Sequence, residues 1–169
     1  MTPPSKLRSL NELAALRNSW RDQGKTVVWT NGVFDLVHAG HIRSLRGARA
    51  FGDILIVGLN SDAGTRANKG PLRPLMNQDD RAELLSALEM VDAIVIFDES
   101  EPSAILARLQ PDVHCKGEEY SNGQRPIPEQ AVVESYGGQV KFLPLLTGRS
   151  TTSLLEKYCA ASEADKKKC

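Results

Sequence analysis

Five short apolar runs punctuate the chain: "TVVWT" at 26, "DILIVGL" at 53, "DAIVIF" at 92, "DVHC" at 112 and "QVKFL" at 139. Most are apolar almost without interruption, the pattern of strands buried on both faces of a parallel sheet. Between them the period lengthens to that of helices. Residues 9 to 22 carry Leu13, Leu16 and Trp20 at helical spacing behind a Ser9–Glu12 capping-box pair, and Gly24 ends the run. "HIRSLRGARAF" gathers Ile42, Leu45 and Ala48 on one face, and "QDDRAELLSALEMV", "PSAILARL", "PEQAVVESY" and "STTSLLEKY" are further helical stretches. Strands and helices alternating at this spacing predict right-handed β-α-β units. The expected fold is α/β: a single Rossmann-like doubly wound domain with about five parallel strands, whose ligands sit beyond the carboxyl ends of the strands.

This reading divides the chain into an N-terminal helix packed on the domain (1–24), the domain itself (25–158) and a solvated tail (159–169). Two segments interrupt the rhythm. Residues 60–80, "NSDAGTRANKGPLRPLMNQDD", read as a long functional loop with three cationic residues, and 116–128, "KGEEYSNGQRPIP", as a shorter one.

Composition narrows the function classes. The 21 basic and 21 acidic residues cancel, so no strong overall field draws the protein to nucleic acid or a membrane surface, and any anion site must be local. Cys115, Cys159 and Cys169 form no C-x-x-C pair and are odd in number, which predicts free thiols and a cytoplasmic location. The start "MTPPSKLRSL" lacks an apolar signal core, and no later run approaches the roughly 20 apolar residues of a membrane helix.

The candidate chemistry lies in "TNGVFDLVHAGHIRSL", residues 30–45, which holds two of the three histidines. With "TVVWT" as the first strand, residues 31–38 form the strand-to-helix loop at the sheet's carboxyl edge, and His41 falls in the first turn of the helix. Unpaired amides and the positive end of the helix dipole favour an anion there. His38 and His41, three apart, can face the same spot, and Gly40 leaves room for a bulky group against the backbone. The arrangement suits a phosphate chain. A zinc site would need further ligands, with His114 and Cys115 the only candidates, and is the weaker reading.

"His38-Ala39-Gly40-His41" after "Asn31-Gly32-Val33-Phe34-Asp35" resembles the H-x-G-H signature of the cytidylyltransferase-like nucleotidyltransferase superfamily. Within it, the chain is most similar to the adenylyltransferases acting on D-glycero-D-manno-heptose 1-phosphate. That similarity rests on "TNGVFDLVHAGH", "KGPLRP" at 69–74, "RAELLSALEMVDAIVIF" at 81–97 with "KGEEY" at 116–120, and "GRSTTSLLEKY" at 148–158. The resemblance implies transfer of AMP from ATP to a sugar 1-phosphate, with Mg²⁺ bound to the ATP. It implies that His38, His41, Lys69 and Arg81 are catalytic: the histidines donate to the triphosphate, and Lys69 and Arg81 hold its β and γ phosphates. The implied ATP site adds Gly32, Val33, Phe34, Gly40, Lys116, Gly117, Ser150, Thr151 and Thr152; Asn31, Asp35 and Asn60 are assigned to the sugar phosphate. No metal-holding residue, nucleic acid or membrane partner is expected, and a homo-oligomer, dimer or higher, is.

Two departures from the family pattern bear on this. Cytidylyltransferases for polyol and choline phosphates carry arginine five residues before the serine, where this chain has Leu145, and Arg149 stands beside Ser150 instead. The heptose enzymes usually show Lys-Gly-Gly-Asp-Tyr where this chain has Lys116-Gly117-Glu118-Glu119-Tyr120. Two alternatives stay open: a cytidylyltransferase or another adenylyltransferase with a different phosphorylated acceptor, and a nucleotide-binding regulatory module without turnover. Related domains are often fused to a sugar kinase, and nothing in these 169 residues encodes one.

Overall fold

A computed structural model describes residues 5–121 and 126–144 and the positions Thr151, Leu155 and Tyr158. The five apolar runs form β1 (Val27–Gly32), β2 (Ile54–Asn60), β3 (Ala93–Phe97), β4 (Val113–Gly117) and β5 (Gln139–Leu143). They make one sheet, ordered β3-β2-β1-β4-β5, in which every pairing is parallel. Because side chains alternate across a strand, a continuously apolar run feeds two cores at once. Val28, Leu55, Val57 and Leu59 pack on one face, and Val27, Trp29, Ile54 and Ile56 on the other.

The helices divide accordingly. α2 (Ala39–Arg49) brings Leu45 and Ala48, and α4 (Gln78–Ser86) brings Ala82 and Leu85, to the first core. α1 (Leu10–Asp22), α5 (Ser103–Leu109) and α6 (Gln130–Ser135) bring Leu13, Leu106 and Val133 to the second. The capping box of α1 is formed: the Glu12 amide donates to Ser9 Oγ at 3.3 Å and the Ser9 amide to Glu12 Oε2 at 2.8 Å. Ahead of α1 the chain adds a bridge to the sheet edge, with the Arg8 amide donating to the Ile94 carbonyl at 2.9 Å.

Two expectations are corrected. The segment 60–80 is not one loop, since Asp62–Lys69 forms α3, capped by Ser61 Oγ accepting from the Gly64 amide at 3.0 Å. Its sequence, "DAGTRANK", is polar with weak helix formers, so periodicity alone does not reveal it. Lys69 therefore stands at a helix end. Conversely, "QDDRAELLSALEMV" is helical only to Ser86. The chain then turns to bury Val91 and to place Asp92, whose Oδ2 accepts from the Leu55 amide at 2.7 Å. The helix expected over 150–158 is represented by Thr151, Leu155 and Tyr158, each helical, and its other positions lie outside the described residues, as does the tail 159–169. Among the described residues no helix is long and apolar enough to cross a membrane.

Leu13 is wholly buried and joins α1 to the second core. Leu13→Ala should lower stability to urea by about 2–5 kcal/mol, whereas Leu72→Ala, at a position 85% exposed, should change it by less than about 0.5 kcal/mol.

Candidate active site

The carboxyl ends of the strands open onto a cavity of about 670 Å³. The β1–α2 loop forms one wall. It begins with a conformational cost: Phe34 has φ +50°, a left-handed backbone that costs a non-glycine residue roughly 1 kcal/mol or more. The strain places the nearly buried Phe34 ring against His41, centroids 5.3 Å apart.

His38 is the N-cap of α2, and its Nδ1 accepts from the Gly40 amide at 3.1 Å. His41 occupies the N3 position and reaches back, its Nδ1 3.4 Å from the His38 amide. A capping box is thus built from two imidazoles, which satisfies helix-start amides that Ser and Glu usually serve. The rings stack at 3.9 Å with 22° between their planes. With Nδ1 of His38 accepting, that ring's hydrogen sits on Nε2 when it is neutral. Burial, then His38 and Lys69 nearby, pull the His41 pKa down to about 4, against a weaker opposing contact with the Leu36 backbone. Near neutral pH His41 is therefore an uncharged donor–acceptor ring.

Of the residues the sequence assigns to the site, Asn31, Gly32, Val33, Phe34, Asp35, His38, Gly40, His41, Asn60, Lys69, Lys116, Gly117 and Thr151 border the cavity. Ser150 and Thr152 lie outside the described residues. Lys69 is exposed at the end of α3; desolvation of its ammonium first, and then Arg73, lower its pKa, with Asp35 opposing.

Arg81 has a different place from the one expected. It is 0% exposed and does not border the cavity, so it is not a phosphate clamp. Its Nη1 donates to the Val33 carbonyl at 2.6 Å and the Asn60 carbonyl at 2.8 Å, Nε to Met76 at 3.0 Å, and Nη2 to Asp62 Oδ1 at 2.6 Å. It joins the ends of β1 and β2 to the starts of α3 and α4. Asp35 borders the cavity, but its carboxylate is 2% exposed, with Oδ1 accepting from the Leu75 and Met76 amides at 2.7 and 3.0 Å and Oδ2 paired with Arg73 at 2.9 Å. It anchors the 73–76 segment, and through it Arg73 joins the cavity wall.

Sequence reasoning assigned Lys116 to the site but missed the buried carboxylate that holds it. Glu129, 1% exposed, takes Lys116 Nζ at 2.5 Å and His114 Nε2 at 3.2 Å on the same Oε1. Burial works to raise its pKa, but these hydrogen bonds and its own backbone bring it down to about 2. His114 is fully buried, as expected of a core histidine, and burial lowers its pKa, so the neutral ring donates from Nε2. Lys116 also lies 5.0 Å over the Tyr120 ring. No spacing rule links Glu129 to Lys116 across 13 residues; Arg73, by contrast, stands inside the quoted "KGPLRP". Two acceptors on the cavity, Asn31 Oδ1 and Glu119 Oε2, have no partner among the described residues. Gly117 permits the second, since a Cβ there would lie 2.0 Å from Glu119 Oε2. Cys115 lies on the cavity floor, almost wholly buried, and burial pushes its thiol up to about 12. Among the described residues no group of three His, Cys, Asp or Glu could hold a metal ion.

In a nuclear magnetic resonance titration His41 should protonate near pH 4 instead of the usual 6.5. Because its folded value is lowered, protons favour the unfolded chain: this contribution to stability is intact above about pH 6.5 and is lost as pH falls toward 4. Arg81→Met leaves Asp62 and three carbonyls without their donor and should cost about 3–5 kcal/mol in chemical denaturation.

A family profile described as Cytidylyltransferase-like matches residues 29–139. The bifunctional protein HldE of Geotalea uraniireducens is 47% identical over 158 residues, and that of Geobacter sulfurreducens 45% over 157. These alignments cover 94% and 93% of this chain, but it spans only about a third, 32%, of the length of either relative. Among solved structures, a lipopolysaccharide core biosynthesis protein from Thermoplasma volcanium aligns with TM-score 0.59 and 28% identity, over 73% of this chain and 98% of its own. Pantoate-beta-alanine ligase from Francisella tularensis shares the fold, with TM-score 0.57 and 15% identity over 86% of this chain and 68% of its own. With the profile spanning the imidazole pair, β2 to β4 with most of β1, and the Lys116 wall, this chain belongs to the cytidylyltransferase-like family.

Proposed function

We propose that this chain transfers AMP from ATP to a sugar 1-phosphate, D-glycero-D-manno-heptose 1-phosphate, with release of pyrophosphate. The observation that carries the reading is the stacked His38–His41 pair at the amino end of α2, on a cavity also bordered by Lys69, Arg73 and Lys116. A phosphate oxygen of the sugar attacks the α-phosphorus of ATP, forming one P–O bond. The bond from that phosphorus to the β-phosphate oxygen breaks, and pyrophosphate leaves with the electron pair. Nothing in this exchange needs a covalent nucleophile; it needs two polyanions positioned and their charge offset. The two imidazoles, His41 uncharged, donate hydrogen bonds to the α-phosphate as charge builds, and the helix dipole adds to them. Lys69 and Arg73 take the phosphates as charged donors, and Thr151 adds a hydroxyl. Mg²⁺ bound with the triphosphate would lower the repulsion between the two anions.

The acceptor assignment rests on sequence resemblance, on relatives named HldE, and on a solved relative described by its role in lipopolysaccharide core biosynthesis. Against a cytidine base stands Leu145, where cytidylyltransferases for polyol and choline phosphates have arginine.

Pyrophosphate release measured with ATP and with CTP across a panel of sugar 1-phosphates should be fastest with ATP and the heptose 1-phosphate. Faster release with CTP, or with another acceptor, overturns the assignment, and ATP binding without any release points to a regulatory module. His41→Ala should lower kcat by roughly 10²–10³-fold while weakening ATP binding far less, because its hydrogen bond tightens in the transition state.

A further inference from the structure

A second cleft, of about 360 Å³, lies at the other end of the sheet. Its walls are Arg17 and Arg21 of α1, Gln110–Asp112 just before β4, and Tyr136–Gly138 just before β5. These are strand beginnings, whereas the candidate active site is built from strand ends. The cleft is a separate place on the molecule.

Arg17 is 3% exposed. Its Nε and Nη2 donate to the Gln110 carbonyl at 3.2 and 2.9 Å, and Nη2 to Asp112 Oδ1 at 3.0 Å. The other carboxylate oxygen of Asp112 accepts from the Val27 amide at 2.7 Å. Arg17 Nη1, with two hydrogens, is buried and has no partner among the described residues. The Tyr136 hydroxyl is in the same condition, and burial holds it neutral, with a pKa of about 12. Its ring is seated against the loop by Gly138, where a Cβ would meet Tyr136 Cε2 at 2.7 Å. One turn along α1, Arg21 is exposed and holds Gln110 Oε1 by a long 3.4 Å contact. The cleft therefore offers two guanidinium groups and a phenol as donors, against one carboxylate already engaged twice. Leaving such donors buried and unpaired costs stability, more for a charged one, and an anionic acceptor would remove that cost.

We propose that this cleft binds a small oxyanion, a phosphate or carboxylate group held by Arg17 Nη1 and the Tyr136 hydroxyl with Arg21 at the mouth. The site does not depend on the adenylyltransferase reading.

Residue-resolved amide shifts read the two ends of the molecule separately: signals of Gly40 and His41 report the candidate active site, and those of Tyr136, Gly137 and Gly138 the cleft. Inorganic phosphate, and in a second arm acetate, each at constant ionic strength set with chloride, should shift the cleft signals along a saturable curve. The relative response to the two anions identifies the group preferred. The Arg21→Gln, Tyr136→Phe double variant should bind at the cleft at least about tenfold more weakly while the shifts at Gly40 and His41 stay as in the wild type. Tyr136→Phe alone should unfold at the same urea concentration as the wild type, or a higher one, since it removes an unpaired hydroxyl. Unsaturable cleft shifts, wild-type affinity in the double variant, or a lowered urea midpoint for Tyr136→Phe would each overturn the proposal, leaving a cleft that holds only water.

Discussion

One guanidinium holds the cavity end of this protein in shape. Parallel strands finish with carbonyls that point beyond the sheet, and two of them, from Val33 after β1 and Asn60 at the end of β2, converge on Arg81 Nη1. The cation also fixes Met76 and pairs with Asp62, so a single buried side chain sets the spacing between the His38–His41 loop and the segment that delivers Lys69 and Arg73. A buried charge is tolerated only when its donors are taken, and here each nitrogen of the group is engaged. The left-handed backbone at Phe34 lies one residue beyond the Val33 carbonyl so held, and the strain there is sustained by that grip and by burial of the ring.

Upon this frame the cavity sets neutral and charged donors side by side. The stacked imidazoles could not both be protonated at 3.9 Å without repulsion, and burial keeps His41 uncharged. Across the cavity Glu129 does the opposite for Lys116: a carboxylate with a pKa of about 2 stays ionised and holds the ammonium on its stem. The cavity thus combines an uncharged His41 with the cations of Lys69 and Arg73 and a tethered Lys116. That combination suits a reaction in which a second anion must approach the first.

The sheet was legible in the sequence because a strand buried on both faces has little choice but to be apolar throughout; all five runs became strands within a residue or two of their expected limits. α1 was legible for a local reason, its capping box. α3 was not, because its stability comes from Ser61 and from docking against the sheet instead of from an apolar stripe. The same contrast governs the site. His38, His41 and Lys69 sit in short motifs whose spacing carries their chemistry. Arg81 and Asp35 sit in motifs too, but a motif records that a residue matters without recording whether it meets a ligand or the fold, and both are turned to the fold. Glu129 is tied to Lys116 only through tertiary packing, which leaves no periodic trace.

Cys115 shows what burial does to a potentially vulnerable atom. Cys115 borders the cavity from β4 with its side chain packed in the first core, and burial raises the pKa of its thiol to about 12, which disfavours the thiolate, the form that attacks oxidants and electrophiles. A peroxide or an alkylating reagent therefore meets a thiol less reactive than an exposed one, which lowers the exposure of β4 to oxidative damage where it borders the cavity.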